Sequence, residues 1–206
     1  MLHVIIMDTA NPNGWNGHYV TEHDSIILYP DARSGDLAHE VAHADFDKNV
    51  GVGSCDPPCN EAGIKKWGVN EGLAEIVALR VTPGRRVSEP SADNVADILG
   101  GKNCLNKLGT ANGASGCAHD LGFLVVKAYK KLAAEMGEDF AFDVYMAARL
   151  RLKNSAVTPA SLHRNVADIL EEQAPYAVTV IGLPVISDPF DLPNWEEWLD
   201  VYSIVC

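Results

Sequence analysis

Apolar residues recur at the strand period near the N-terminus and at the helix period over most of the remaining chain. Short runs rich in Val and Ile indicate strands, and apolar residues three and four positions apart indicate helices. Ser34 and Thr158 stand where N-caps are expected, and Pro159 stands at a first helical position. The pattern predicts a buried strand at 2–9, one or two strands within 18–30, and helices over about 35–48, 60–81, 120–137, 138–154 and 159–173.

These elements predict an α+β protein built from two parts around a cleft. Residues 1–116 are expected to form a mixed lobe with a small sheet. Residues 82–117 are expected to be mostly irregular apart from a short helix near 91–99. Residues 117–206 are expected to form a mainly helical lobe with an irregular tail from 175. A chain of 206 residues is long enough for one sizeable core or for two small lobes.

The charge balance and the lack of long apolar runs limit the classes of partner. The chain has 28 acidic and 16 basic residues and a net charge of −12, which disfavours nucleic acids and anionic membrane surfaces. No apolar run approaches the roughly 20 residues that span a bilayer. The N-terminal residues lack the basic start of a signal peptide. We therefore expect a monomeric globular protein that binds neither nucleic acid nor membrane.

The five cysteines indicate an oxidising compartment. Cys55 and Cys59 flank a Pro-rich loop, and Cys104 and Cys117 bracket a loop rich in Gly, Asn and Ser, so two local disulfides would leave Cys206 over. The alternative is a second metal site at Cys55 and Cys59, although no second Cys or His pair has matching spacing. The disulfide interpretation predicts a secreted protein.

The segment HEVAH at residues 39–43 carries the strongest chemical signal. Side chains four residues apart share one face of a helix, so His39 and His43 can bind one metal ion together. Glu40 is rotated about 100° from His39, where it can reach a water molecule on that ion. Two imidazole ligands beside a general base are what the H-E-x-x-H pattern supplies, and the pattern predicts zinc.

A third ligand has to come from another element, because a catalytic zinc uses three protein ligands and one open position. The best candidate is the helix GVNEGLAEIVAL, in which Glu71 and Glu75 lie four apart. Apolar residues flank both acids, so the helix is expected to be packed, and packed acids need partners. We predict that Glu71 binds zinc and that Glu75 accepts the N–H of a ligand histidine. The alternative is an amphipathic helix with two solvated glutamates.

HEVAH followed by NEGLAE resembles the gluzincin metallopeptidases, whose third ligand is a Glu in an N-E-x-x-x-D/E helix. The C-terminal half, from GASGCAHDLGFLVVKAYKKLA to SLHRNVADIL, is similar to the helical lobe of the thermolysin-type peptidases. The resemblance covers residues 25–80 and 115–172. It implies a zincin-like two-lobed fold and a zinc-dependent metalloendopeptidase that acts on peptides or proteins, with a preference for an apolar side chain.

The resemblance also implies a role for a histidine in the second half. His119 matches the family's histidine that donates a hydrogen bond to the oxyanion formed during peptide hydrolysis. The segment AHDLG is one residue shorter between His and Gly than the family pattern. Asp120 would orient His119 or cap the helix that begins there. The alternative for His119 is a loop histidine in solvent.

Further residues are implied on the substrate side of the cleft. The stretch NGWNGHYVTEHDSIIL is expected to form the strands above the cleft, with an exposed edge strand that pairs with an extended substrate and surface histidines. Asn13 and Trp15 match the family's segment on that strand, and an ordinary hairpin is the alternative. The arginine that contacts the substrate backbone would be Arg80, with Arg85 and Arg86 as alternatives.

The predicted reaction is peptide hydrolysis, in which Glu40 takes a proton from a zinc-bound water and returns it to the leaving amine. An aminopeptidase-like or minimal gluzincin is one alternative, although no acidic anchor for a free N-terminus is identified. A non-catalytic, zinc-stabilised or self-inhibited binding protein is another, with the tail at 194–206 closing the cleft. Residues 44–70 lack the Tyr that the family uses as an oxyanion donor, which favours this alternative, whereas Glu40 argues against it.

Overall fold

The fold is α+β, as the sequence predicts. A computed structural model describes residues 1–51, 60–87, 111–152 and 157–173. The elements in chain order are β1 (His3–Ile6), β2 (Gly17–Val20), a 3-10 helix (Thr21–His23), β3 (Ser25–Leu28), α1 (Ser34–Asn49), α2 (Glu61–Val81), α3 (Ala111–Met136), α4 (Glu138–Leu150) and α5 (Pro159–Gln173). None of the described helices is long and apolar enough to cross a membrane.

The three strands form a mixed sheet in the order β1-β3-β2. β1 runs parallel to β3, with His3 opposite Ser25, and β2 runs antiparallel to β3, with Gly17 opposite Leu28. The prediction of a buried N-terminal strand is wrong, because every residue of β1 is exposed. A short apolar run does not reveal on how many faces a strand is covered. β2 occupies the opposite edge of this sheet, beside α1.

Helices α1 and α2 lie close to their predicted positions, and polar side chains explain where they begin. Arg33, rather than Ser34, is the N-cap residue of α1, and the Asp36 carboxylate accepts a hydrogen bond from its backbone nitrogen at 2.8 Å. Ser34 is therefore the first helical residue. At the start of α2, the Asn60 side chain accepts a hydrogen bond from the Gly63 nitrogen at 2.7 Å. Both contacts satisfy backbone donors that a helix start leaves free.

Helix α3 begins earlier than the sequence pattern predicts. It runs from Ala111 to Met136, so residues 111–117 are helical where their Gly, Asn and Ser content predicted an irregular loop. Ala114 and Ala118 are fully buried against α2, and this packing outweighs the low helix propensity of their neighbours. The predicted boundary between the lobes, at 116/117, falls inside this helix.

Two glycines allow α2 and α3 to approach each other closely. A Cβ atom at Gly72 would lie 2.5 Å from Val125 Cβ and 2.8 Å from the Gly122 carbonyl oxygen. A Cβ atom at Gly122 would lie 2.8 Å from both Glu71 Cβ and the Gly72 nitrogen. A larger side chain at either position would have to push the helices apart. This contact determines how near a side chain on α3 can come to Glu71.

One apolar cluster joins the helices on both sides of the predicted boundary. The rings of Tyr129 on α3 and Tyr145 on α4 meet edge to face, with centroids 5.5 Å apart. The site-bearing helices α1 and α2 therefore rest on the same core as the C-terminal helices. Members of this cluster include Phe46, Val69, Ile76, Tyr129, Tyr145 and Leu162.

Helix α5 matches the predicted one, and α4 begins at the predicted residue but ends at Leu150, before the predicted end at 154. Thr158 precedes α5, and its side-chain oxygen accepts a hydrogen bond from the Ser161 nitrogen at 3.1 Å, as an N-cap residue should. Other predictions fall on residues outside the described ranges. These are the disulfides or second metal site involving Cys55, Cys59, Cys104 and Cys206, the short helix near 91–99, and the tail from 175.

Candidate metal centre

A cleft between α1, α2 and α3 contains three potential metal-ligand atoms, one each from His39, His43 and Glu71. The Nε2 atoms of His39 and His43 are 3.0 Å apart, and they lie 3.3 and 3.6 Å from Glu71 Oε2. All three residues offer ligand atoms within 4.8 Å of one another. Ligand atoms bound to one tetrahedral zinc at about 2.0–2.1 Å are separated by about 3.3 Å. The structure thus groups the three residues that the sequence predicts as metal ligands.

The chemistry of these three groups fits a cation. The side chains of His39 and His43 are each 12% exposed, and that of Glu71 is 8% exposed. A carboxylate oxygen and an unprotonated imidazole nitrogen are both hydrogen-bond acceptors. Buried acceptors that face one another are unfavourable unless protons or a cation lie between them. Two imidazoles with one carboxylate form a donor set that zinc accepts.

Protons can take the place of a cation in this group. Burial lowers the pKa of His39, but the carboxylates of Glu71 and Glu75 outweigh burial and raise that pKa to about 10. Burial also opposes protonation of His43, whose pKa is raised by Glu71. Burial favours a neutral Glu71, yet His43 and His39 hold its pKa well below the ordinary value. A metal ion would therefore have to compete with protons at these nitrogens.

Glu75 lies one turn beyond Glu71 and contacts the second ring nitrogen of His39. Glu75 Oε2 is 3.3 Å from His39 Nδ1, a position from which a carboxylate can orient a metal-binding histidine. Arg85 donates from Nε to Glu75 Oε1 at 3.0 Å and from Nη1 to Asp36 Oδ1 at 2.5 Å. The Arg85 guanidinium therefore joins the end of α2 to the first turn of α1 and holds the carboxylate that faces His39.

Two further residues of α2, Trp67 and Asn70, line the cleft beside Glu71. Trp67 Nε1 donates to Glu71 Oε1 at 2.8 Å, so one carboxylate oxygen is held while the other faces the histidines. Asn70 is 4% exposed, and its Oδ1 atom has no hydrogen-bond partner within the described part of the chain. Trp67 lies four residues before Glu71, and this helical spacing could have identified it.

Glu40 lies beside the ligands and lines the same cleft. The cleft has a volume of about 560 Å³ and is lined by residues of β2, α1, α2 and α3. Glu40 is 8% exposed. A Cβ atom at Gly17 would lie 3.4 Å from Glu40 Cγ, so the edge strand β2 passes close to this carboxylate. The cleft therefore combines an edge strand, a buried carboxylate and a candidate metal-ligand group.

His119 reaches the ligand group from α3. Its Nε2 atom is 3.3 Å from Glu71 Oε2, and its side chain is 58% exposed. Its Nδ1 atom is 2.8 Å from the Ser115 carbonyl oxygen. The alternative of a loop histidine is wrong, because α3 includes this residue. Asp120 does not line the cleft, and its predicted capping role is wrong because α3 already begins at Ala111.

Among the residues predicted on the substrate strand, Trp15 lines the cleft and Asn13 does not. Trp15 is half exposed, and its ring meets the ring of His18 edge to face at 5.9 Å. His18 also lines the cleft and is only partly exposed, with its Nδ1 atom buried. Its position on β2, beside α1, is a tertiary feature that strand periodicity does not reveal.

The arginine predicted to contact substrate lies elsewhere. Arg80 forms an ion pair with Asp139 of α4 at 2.5 Å and does not line the cleft, whereas Arg85 and Arg86 do. Arg80 follows Glu75 by five residues, which corresponds to a rotation of about 140° around the helix. It therefore projects away from the face that carries the ligand group, and the choice of Arg80 over its two alternatives was wrong.

No protein-family model, curated protein or solved structure matches this chain. The function has therefore to be argued from the site. Three features of the described residues carry that argument: the convergence of His39, His43 and Glu71, the carboxylate of Glu40 beside them, and the edge strand along the cleft.

Proposed function

We propose that this protein is a zinc-dependent metalloendopeptidase of the gluzincin type. The observation that carries the proposal is the approach of His39, His43 and Glu71 within 4.8 Å, with Glu40 buried next to them in the same cleft. An edge strand, an H-E-x-x-H helix and a third-ligand helix occur in the order that a zincin-like fold requires. A thermolysin-like arrangement is the finer form of the same proposal.

The roles of the side chains follow from their positions. A zinc ion at this site would act as a Lewis acid and lower the pKa of water bound to it. His39, His43 and Glu71 would hold the ion, and Glu75 would keep the His39 ring in place. Glu40 would accept a proton from the attacking water and pass it to the leaving amine.

The edge strand supports a peptide as substrate. β2 pairs only with β3 in the described sheet, and three of its residues, Gly17, His18 and Tyr19, line the cleft. Backbone groups on a free strand edge can form hydrogen bonds with an extended peptide. Trp15, half exposed at the same cleft, offers an apolar surface to a substrate side chain.

One observation favours a second candidate, a zinc-stabilised protein without catalytic activity. A structural zinc has four protein ligands, whereas a catalytic zinc keeps one position open. His119 lies 3.3 Å from Glu71 and is a possible fourth ligand. Structural zinc needs no general base, however, so the position of Glu40 supports the enzyme.

The proposal is tested by exposing a mixed peptide library to the purified full chain and measuring its zinc content. We expect one zinc per chain and internal cuts that disappear with a chelator and return with added zinc. Glu40→Gln should keep its zinc and lose about 10²–10⁴-fold in activity. Glu135→Gln, an exposed α3 residue, is the matched control and should retain full activity.

Each other outcome has a distinct meaning. Trimming from one end only would replace the endopeptidase by the aminopeptidase-like alternative. A folded, zinc-loaded protein that cuts no peptide would support the zinc-stabilised protein. Full activity of Glu40→Gln would contradict the proposed base, and absence of zinc binding would contradict the site itself.

A further inference from the structure

The hydrogen bond of the His119 ring determines which of its nitrogens is free. Nδ1 is 2.8 Å from the Ser115 carbonyl oxygen. A carbonyl oxygen can only accept, so the proton of a neutral His119 ring resides on Nδ1. Nε2 then presents a lone pair. Metal-binding histidines usually have this arrangement, in which one ring nitrogen donates to a carbonyl and the other faces the ion.

The free nitrogen of His119 faces the atom on which the predicted ligands converge. Nε2 lies 3.3 Å from Glu71 Oε2, and the same oxygen is 3.3 Å from His39 Nε2 and 3.6 Å from His43 Nε2. Three ring nitrogens therefore lie within 3.6 Å of one carboxylate oxygen. Neutral rings and a carboxylate in this arrangement offer only acceptors, and one divalent cation would satisfy all of them.

We propose that His119 is a displaceable fourth ligand of the zinc site, which occupies the open position until a peptide enters. This inference depends on the proposed function for the zinc and its three buried ligands. Unlike them, His119 lies outside the group whose ligand atoms are all within 4.8 Å of one another. Its ring must therefore move toward the ion to bind it.

The exposure of His119 explains why this ligand would be displaceable. Its side chain is 58% exposed, against 12% or less for the other three. More than half of this ring is already in solvent, so it can rotate away from the ion at a smaller loss of packing than the ligands buried between α1 and α2. Without substrate the site would have four protein ligands, and displacement of His119 by an entering peptide would free the coordination position that the attacking water needs.

The test uses Zn²⁺ and Co²⁺ as probes with the full chain, His119→Ala and His119→Gln. Zinc affinity is measured by competition with a chromophoric chelator, and coordination by the visible absorption of the Co²⁺ form. We expect His119→Ala to bind zinc about 10–100-fold more weakly and to show a changed Co²⁺ spectrum. Added imidazole should restore the spectrum of the variant and leave that of the wild type unchanged.

His23→Ala is the matched control, because His23 is an exposed histidine of the 3-10 helix and does not line the cleft. It should have the zinc affinity and the Co²⁺ spectrum of the wild type. Circular dichroism of the zinc-free proteins checks that each variant is folded, and His119→Gln, which keeps a polar side chain, provides a second test of the same position.

The outcomes separate this inference from the proposed function. Equal zinc affinity and identical Co²⁺ spectra for the wild type and both His119 variants would overturn the fourth ligand and leave the zinc site intact. This is the result expected if His119 is instead protonated and donates to Glu71. Failure of the wild-type chain to bind either ion would overturn the proposed function and the inference together.

Discussion

Replacing Gly122 by Ala should separate α2 from α3 and weaken the metal site. The added Cβ atom would lie 2.8 Å from Glu71 Cβ, 2.8 Å from the Gly72 nitrogen and 3.1 Å from the Gly68 carbonyl oxygen. Two of these contacts are with backbone atoms, which cannot rotate away as a side chain can. The helices would have to move apart by about 0.6 Å to reach an ordinary contact.

Two opposing effects determine how much Gly122→Ala changes the free energy of unfolding. Ala is favoured over Gly in a helix interior by about 1 kcal/mol, while overpacking in a tight contact costs about 1–3 kcal/mol. Because two of the contacts involve backbone atoms, we take the upper end of this cost and expect the free energy of unfolding to fall by about 2 kcal/mol. Gly116→Ala provides the control on the same helix, since a Cβ atom there has no neighbour within 4 Å. The free energy of unfolding of Gly116→Ala should rise by about 1 kcal/mol.

Urea unfolding of the zinc-free proteins, followed by circular dichroism, measures both changes. The two variants should therefore differ by about 3 kcal/mol in the free energy of unfolding. Gly122→Ala should also bind zinc more weakly, because Glu71 is displaced with α2, and Gly116→Ala should bind it unchanged. Equal stabilisation by both substitutions would refute the close approach of α2 and α3.

Two further predictions concern residues outside the ligand group. Arg85→Lys keeps the positive charge but removes the guanidinium group that donates to both Glu75 and Asp36. The zinc affinity, measured by competition with a chelator, should therefore fall about 10-fold. An unchanged affinity would show that Glu75 orients His39 without the contact from Arg85. Burial lowers the pKa of His163 from 6.5 to about 3, so below pH 6.5 the unfolded chain binds a proton that the folded protein does not. Relative to His163→Leu, the wild type should lose about 2 kcal/mol of stability between pH 8 and pH 5 in urea unfolding, and a difference independent of pH would contradict the burial of a neutral His163.

The pairs of site residues that lie on the same helix could be predicted from the sequence, because helical spacing alone determines whether they share a face. His39 and His43 share a face at four residues apart, and the same spacing places Glu75 one turn beyond Glu71. The choice of the second helix depended on another physical signal, two acids among apolar residues, which implied that they were buried with partners. The structure places these residues together.

The remaining parts depend on tertiary packing. The start of α3 was missed because Gly, Asn and Ser predict a loop, whereas burial of Ala114 and Ala118 against α2 supports a helix. The prediction of Arg80 failed because the sequence does not distinguish Arg80, Arg85 and Arg86 as substrate contacts unless the end of α2 at Val81 is known. Arg85 lies beyond α2, and its place between Asp36 and Glu75 follows from how the chain turns back toward α1.

The contact between Glu71 and His119 shows which tertiary signal was available in the sequence. The two residues are far apart in the chain, and no periodicity links them. Each is close to a glycine, however, since Gly72 follows Glu71 directly and Gly122 lies one turn after His119. Helices that cross at glycines bring their backbones together, so the polar side chains flanking the glycines come within reach of one another. Glycines beside polar residues on two apolar helices are therefore a sequence signal of such a contact, and the glycines of NEG and HDLG form one such pair.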